Sequence, residues 1–442
     1  MVLDLNCTEL PVHWRRTRPN PVNQRDEQPP APSSGPRAGA GEHLARPERA
    51  SGSPPQLAEP LAGVNLIGDL FVDSGLGEAT RGILGALLAA QVPTSYSELR
   101  YAFGPTVADP PPALAWLARG NRYAVNLLIF NLHQLAGLSR ERVAQLKQGK
   151  PTIAYWCWEL PVVPAAFLPA FGMVDEIWTS SDYSRAILER YASCPVRTVP
   201  LPVAVTPSPS PARDHFDIPD DRFVFLFSFS VASDGGRKNP QGFLQAFAQA
   251  FPESSADGPL LVVRAQHADL LPAVRDDLQC EVERLGGRFL DGVYTRGQMD
   301  DLLACCDAYV SLHRAEGFGL GIAEAMYLAK PVIATAYSGS MDFMNAGNSF
   351  LVPYTLRLVR EADRPLAPHF AEFYPAGQPW AEPSLEVAAH WMQRVAGDRE
   401  ASRVRGAQAA ADIREHCSPA VVGRRIARLL PRYPLDPWTP LP

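Results

Sequence analysis

Two glutamates, Glu316 and Glu324, flank a run of glycines at 317, 319 and 321. The preceding run, Ala308-Tyr309-Val310-Ser311, is apolar enough to read as a buried strand, and the pattern from Leu320 to Ala329 reads as a helix starting near Gly319. Strand, glycine loop and helix in that order make an anion site. The first amides of a helix have no partner within it and point out of its end, and glycines let a ligand approach the backbone closely. A diphosphate seated there would place Glu316 toward a sugar and leave Glu324 within reach of ribose hydroxyls. The plainer reading is a turn with an acid favoured by the helix dipole. Against it stands the apolar helix around Glu324, on which a carboxylate needs a polar partner.

A second unit of the same kind runs from Phe227 to Pro240 and carries Arg237 and Lys238 at the expected start of the next helix. Cations are disfavoured at a helix N-terminus, so a basic pair there makes sense beside a bound anion. A third glycine loop, Asp73-Ser74-Gly75-Leu76-Gly77-Glu78, follows the apolar run Gly63 to Gly68 and precedes the helix-like run Ala79 to Leu88. It lacks the third glycine of the dinucleotide fingerprint of Rossmann oxidoreductases. No Asp-x-Asp stands at a strand end as an anchor for a divalent ion, so the expectation is metal: none, and no cofactor beyond a co-substrate.

These loops need rigid elements to hold them. Apolar runs at 124–130, 152–155 and 176–178 read as strands, separated by helical patterns such as Ser184 to Tyr191. A Pro-rich stretch, Val199 to Ala212, interrupts the alternation and reads as an interdomain hinge. Strands are then expected at 223–227, 260–263, 308–311 and 331–334, with helices at 240–251, 298–305, 320–329 and 385–395. The fold class is α/β: two doubly wound Rossmann-like domains facing a cleft, with ligands at the carboxyl ends of the strands. The expected division is a disordered Pro-rich tail at 1–60, an N-terminal domain at 61–205 and a C-terminal domain at 206–415. Residues 416–442 should form a terminal helix crossing back to the first domain.

The chain has 442 residues, 46% hydrophobic and 20% charged, with a formal charge of −6. That balance is globular, and the acidic surface argues against nucleic acid as a partner. No stretch reaches the roughly 18 to 20 apolar residues that span a bilayer. The first twenty residues carry acids early and no apolar core of signal-peptide length, so the expected location is the cytosol. Seven scattered cysteines, none in a C-x-x-C pair, fit reduced thiols, and adjacent Cys305 and Cys306 read as packed core.

The spacing from Glu316 to Glu324 resembles the E-x₇-E motif of the retaining GT-B glycosyltransferases of glycosyltransferase family 4. Phe227 to Pro240 resembles that family's donor-binding strand and basic loop. Ala329 to Thr335, with Ser338-Gly339, resembles the strand and turn that follow. Gly63 to Gly68 with Gly75 to Glu78, Tyr155 to Leu160, and Trp380-Ala381-Glu382-Pro383 are similar to segments of a bacterial branch of the family. The resemblance covers about residues 61 to 430.

It implies that Glu316 faces the reacting sugar and Glu324 holds the ribose. Gly317, Phe318 and Gly319, with Leu320 beginning the helix, would contact sugar and phosphate through their backbone. Lys238, helped by Arg237, would neutralise the departing diphosphate, and Gly75 and Gly77 would border the cleft from the N-terminal side. Where many members carry a Gly-Arg pair, this chain reads Ser228-Phe229-Ser230, so Arg237 is expected to supply the second basic group. Where many place an N-terminal histidine, the equivalent is Trp158, with His133 the nearest alternative. The implied reaction retains anomeric configuration and transfers a hexose-type sugar from a nucleotide sugar to a glycan or lipid-linked acceptor. Peripheral contact with the inner face of the cell membrane would suit such acceptors. The rival reading is a non-catalytic sugar-nucleotide-binding regulator or scaffold.

Overall fold

The structure, a computed structural model, describes residues 2–4, 61–100, 114, 117–231, 235–252, 258–363 and 373–430. The strands of the first sheet are β1 (Val2–Asp4), β2 (Leu61–Gly68), β3 (Thr94–Arg100), β4 (Ala118–Arg119), β5 (Tyr123–Ile129), β6 (Thr152–Trp156), β7 (Glu176–Thr179) and β8 (Val196–Thr198). They pair in parallel in the order β1-β3-β2-β5-β6-β7-β8, with β4 also on β3. Its helices are α1 (Gly75–Ala89), α2 (Leu132–Ala136), α3 (Arg140–Lys147) and α4 (Asp182–Leu188). Of the segment expected to be a disordered tail, Val2–Asp4 adds an edge strand against Glu98–Arg100, and residues 5–60 lie outside the described residues.

The second sheet is built from β9 (Val224–Ser230), β10 (Leu260–Gln266), β11 (Arg288–Leu290), β12 (Ala308–Ser311), β13 (Val332–Thr335) and β14 (Phe350–Val352). Its order is β11-β10-β9-β12-β13-β14, again parallel. The strand β9 shows why the sequence folds this way. Phe225, Phe227 and Phe229 pack on one face with Phe243 and Phe247, while Val224 and Leu226 enter the core on the other. A strand buried on both faces reads as a continuous apolar run, which is what a parallel sheet covered by helices requires. Those helices are α5 (Gly235–Lys238), α6 (Pro240–Ala250), α7 (Pro272–Arg284), α8 (Arg296–Cys305), α9 (Leu320–Tyr327), α10 (Leu385–Gly397), α11 (Arg399–Cys417) and α12 (Pro419–Leu429).

Two of the boundaries that differ from the sequence reading bear on the site. Helix α1 starts at Gly75, not Ala79, because the Ser74 side chain accepts from the Gly77 amide and Glu78 adds an acid to the first turn. Arg237 and Lys238 do not open the long helix. They end the short turn α5, and Asn239, at φ 59°, caps α6 separately by accepting from the Gly242 amide.

A two-stranded antiparallel hairpin, β15 (Tyr354–Leu358) and β16 (Pro379–Pro383), was not legible in the sequence. It braces the site. Trp380 is fully buried, with the guanidinium groups of Arg314 and Arg357 at 5.1 and 5.2 Å from its ring centroid. Glu382 accepts two bonds from Arg314, each 3.0 Å, and also meets Arg357. Arg314 donates in turn to the Gly236 carbonyl at 2.5 Å, and its own carbonyl accepts from the Ala381 amide. The hairpin thus ties the α5 turn to the loop after β12.

The Pro-rich connector is stitched rather than free: Val203 donates to the Cys417 carbonyl at 2.7 Å and Thr206 to Asp300 at 2.9 Å. Helix α12 lies on α1 so closely that a Cβ at Gly423 would stand 2.1 Å from the Ala86 carbonyl oxygen. The six cysteines among the described residues are all free thiols, and Cys305 and Cys306 are buried in the core. No helix among the described residues is long and apolar enough to cross a membrane.

The α1–α12 contact gives a direct test of packing. Gly423→Ala forces a methyl group into backbone and should destabilise by about 1–3 kcal/mol, read as a lowered Tm. Gly85→Ala is the control: its added methyl meets nothing within 4 Å, and a helix-interior glycine so replaced gains about 0.5–1 kcal/mol.

Candidate active site

The carboxyl ends of β9, β10, β12 and the start of α1 open onto a cleft of about 920 Å³ between the two domains. At its centre is the loop between β12 and α9. Gly319 sits at φ 93°, the left-handed region that glycine adopts freely, and no side chain caps the helix that follows. The opening amides of α9 are therefore left for a ligand. The loop is held from three sides. The Glu316 amide donates to Ser338 Oγ at 2.7 Å, its carbonyl accepts from the Gly339 amide at 2.9 Å, and the Gly317 carbonyl accepts from Ser181 and Ser180 hydroxyls at 2.6 and 3.1 Å. Gly339 has to be glycine, since a Cβ there would meet the Gly317 carbonyl oxygen at 2.1 Å.

Glu316 is buried and doubly paired. Lys238 Nζ lies 2.5 Å from Oε1 and Arg237 Nη1 3.3 Å from Oε2. Burial alone would raise its carboxyl, but Lys238 and Arg237 outweigh that and hold it down at about 2. Burial draws the Lys238 ammonium below its ordinary range, with Glu316 opposing and Arg237 adding to the shift. Nearby His313 is fully buried, Nδ1 3.0 Å from Ser311 Oγ and Nε2 3.1 Å from the Tyr337 carbonyl. Burial lowers its pKa, so it serves as a neutral strut between β12 and the turn after β13.

Glu324 faces the same cleft further along α9. Its partner is Arg296, the first residue of α8, at 2.5 Å. Arg296 also reaches Asp300 at 2.8 Å and Glu78, from the other domain, at 3.7 Å. Burial raises the Glu324 carboxyl, and Arg296 works against it. Gly321 gives this wall its shape: a Cβ there would collide with the Tyr309 hydroxyl at 2.5 Å.

The structure brings Glu316, Lys238, Gly319, Leu320, Glu324 and Gly75 together on the cleft. The other predicted site residues sit behind it. Arg237, 3% exposed, is beneath Glu316, donating to the Ala315 carbonyl at 2.7 Å, so it acts on Glu316 and not on the cleft surface. Gly317 turns its carbonyl toward the serines, and Phe318 packs on Phe343 at 5.1 Å between ring centroids. Gly77 packs inward: a Cβ would lie 2.1 Å from the Val72 carbonyl oxygen.

Neither candidate for the N-terminal histidine role lines the cleft. Trp158 is 2% exposed and packs on Phe167. His133 lies among Phe167 and Phe373, where burial drives its pKa down to about 3. The N-terminal domain presents Asp73, Ser74, Gly75, Glu78 and Arg81 instead. The sequence reading missed Arg264, Tyr294 and Arg296, which complete the opposite wall. Only Arg296 had a local signal, a position next to the Thr295 cap of a helix.

Residues 212–356 match the family model described as glycosyl transferases group 1. No curated protein matches the sequence. Among solved structures, sucrose-phosphate synthase of Thermosynechococcus elongatus is similar at 16% identity and a TM-score of 0.59, over 84% of this chain and 98% of that one. HepE of Anabaena, solved in complex with UDP and glucose, is similar at 14% identity and 0.57, over 84% of this chain and all of that one. A glycosyltransferase of Rickettsia africae is similar at 11% identity and 0.57, over 84% and 98%. At such identities these likenesses speak to architecture, and the family model speaks to class. The match to group 1 glycosyl transferases covers about a third of the chain, and together with the two-domain fold it indicates a glycosyltransferase of GT-B architecture.

Proposed function

We propose that this protein is a retaining, metal-independent glycosyltransferase that moves a hexose-type sugar from a nucleotide-diphosphate donor to a glycan or lipid-linked acceptor. The observation that carries the reading is the buried pair of Lys238 with Glu316, 2.5 Å apart, beside the uncapped start of α9. HepE, a protein of the same fold, has been solved with UDP and glucose, which supports a nucleotide sugar in such a cleft.

In this reading the diphosphate rests on the opening amides of α9. As the glycosidic bond breaks, negative charge grows on the departing oxygens. Lys238, on the cleft wall, neutralises it, and Arg237 beneath Glu316 keeps that carboxylate ionised while Lys238 turns to phosphate. Glu316 accepts from a hydroxyl of the sugar and fixes its orientation. Glu324, with one oxygen on Arg296, offers the other to the ribose. The acceptor hydroxyl enters on the face from which the diphosphate leaves, which retains configuration. Because protein cations and helix amides offset the phosphate charge, no divalent ion is required. The acceptor enters from the N-terminal wall, where no apolar membrane-spanning helix is needed for peripheral contact with the inner membrane face.

Lys238→Ala should lower kcat by about 10²- to 10³-fold, as loss of one preorganised charge-stabilising group does. An unchanged rate of donor consumption would remove Lys238 from the mechanism. Glu324→Gln should instead act on binding and weaken the donor about tenfold, the scale of one charge-assisted hydrogen bond. Calorimetric titration of donor against both variants separates the two effects. Incubation with EDTA should leave turnover unchanged; loss of activity restored by Mg²⁺ or Mn²⁺ would refute the metal-free mechanism.

A further inference from the structure

Beyond Glu324 the cleft continues over the carboxyl ends of β10 and β11, where Arg264 and Tyr294 line it. Arg264 lies in register with Ser228 of β9 and Leu290 of β11, on the strand next to the sheet's edge, and is only 3% exposed. Among the described residues it forms no ion pair within 4 Å and its Nε has no hydrogen-bond partner; the Tyr294 ring lies 5.8 Å from the guanidinium carbon, and the Asp73 carboxylate acts on it from a distance. Every other guanidinium lining this cleft is paired: Arg81 with Glu78 and Arg296 with Glu324 and Asp300.

A buried guanidinium carries five donors in a planar fork and no acceptor. Leaving it without acceptors is costly, and a ligand that brings acceptors relieves that cost. The Tyr294 ring flanks the guanidinium on one side. Which part of the donor arrives there follows from the other subsites. The diphosphate is accounted for by α9 and Lys238. The ribose is accounted for by Glu324, whose partner Arg296 is two residues from Tyr294. What remains to fill the Tyr294–Arg264 end is the base.

A rigid fork distinguishes bases by their edges. Guanine presents two adjacent acceptors, O6 and N7, which match a guanidinium in bidentate fashion. Adenine sets an amino donor beside N7, and uracil and thymine set the N3–H donor beside O4, so each opposes one arm of the fork. We propose that Arg264 reads the base of the nucleotide donor and selects guanine, so that the natural donor is a GDP-sugar. This inference rests on the transferase reading above and adds the identity of the base.

The test is calorimetric titration of GDP, UDP, dTDP and ADP against the full chain, wild type, Arg264→Gln and Arg264→Lys. The wild type should bind GDP at least tenfold tighter than the other three. Arg264→Gln should bring GDP down to the level of UDP while UDP changes less than twofold. Arg264→Lys, which keeps the charge but loses the fork, should do the same, and it decides the matter if the glutamine variant does not fold. UDP, dTDP or ADP binding as tightly as GDP in the wild type overturns the assignment but leaves the transferase reading intact. Equal weakening of all four nucleotides by the variants also overturns it, since the guanidinium would then be holding phosphate. A folded wild type that binds none of the four fails both readings together.

Discussion

The site is organised around one buried carboxylate. Glu316 loses its hydration when the loop after β12 closes over it, and a lone carboxylate there would protonate. Lys238 and Arg237 prevent that, at 2.5 and 3.3 Å. The requirement runs both ways, because burial draws the Lys238 ammonium down and the glutamate opposes the shift. Two chain segments from different strands, the α5 turn and the β12–α9 loop, are thus bound to each other by charge before any ligand is present. The rest of the C-terminal domain serves to keep those segments at this separation.

The hairpin β15–β16 is the clearest case. It lies far along the chain from the glycine loop, and most of it lies beyond the segment matched by the family model. Yet Glu382 fixes Arg314, and Arg314 holds the Gly236 carbonyl, two residues before Lys238. Trp380, itself fully buried, packs against both guanidinium groups and holds them beside Glu382. The α5 turn is only four residues, Gly235–Lys238, with no apolar side chain of its own, so its position is imposed from outside.

Much of this was legible in the residues. The glycines around Glu316 and Glu324 gave strand, turn and helix in the right order, because a close backbone approach leaves a mark in composition. The buried strands were legible as apolar runs. What escaped has common causes. The apolar run of β10 stops at Val263, yet the strand continues to Gln266, because neighbouring strands supply the burial that Arg264 and Gln266 do not advertise. The hairpin escaped because Tyr354, Leu356 and Leu358 are exposed, so its pattern is not that of a core strand. Arg237 looked like a partner for a ligand and is a partner for Glu316. A sequence shows that a cation is present near a turn but not which side of the turn it occupies. Gly77 was a similar case: it read as a lip of the cleft, and its missing side chain makes room for Val72.

The Gly317 carbonyl has a consequence of its own. It belongs to the C-terminal domain, yet the hydroxyls that grip it, on Ser180 and Ser181, belong to the N-terminal one, and the Asp182 amide reaches across to Asp342 at 2.7 Å beside them. Any swing that parts the two lobes has to break this latch, and closing has to remake it. Opening of the cleft is therefore resisted by a contact on the back of the loop, outside the cleft lining itself.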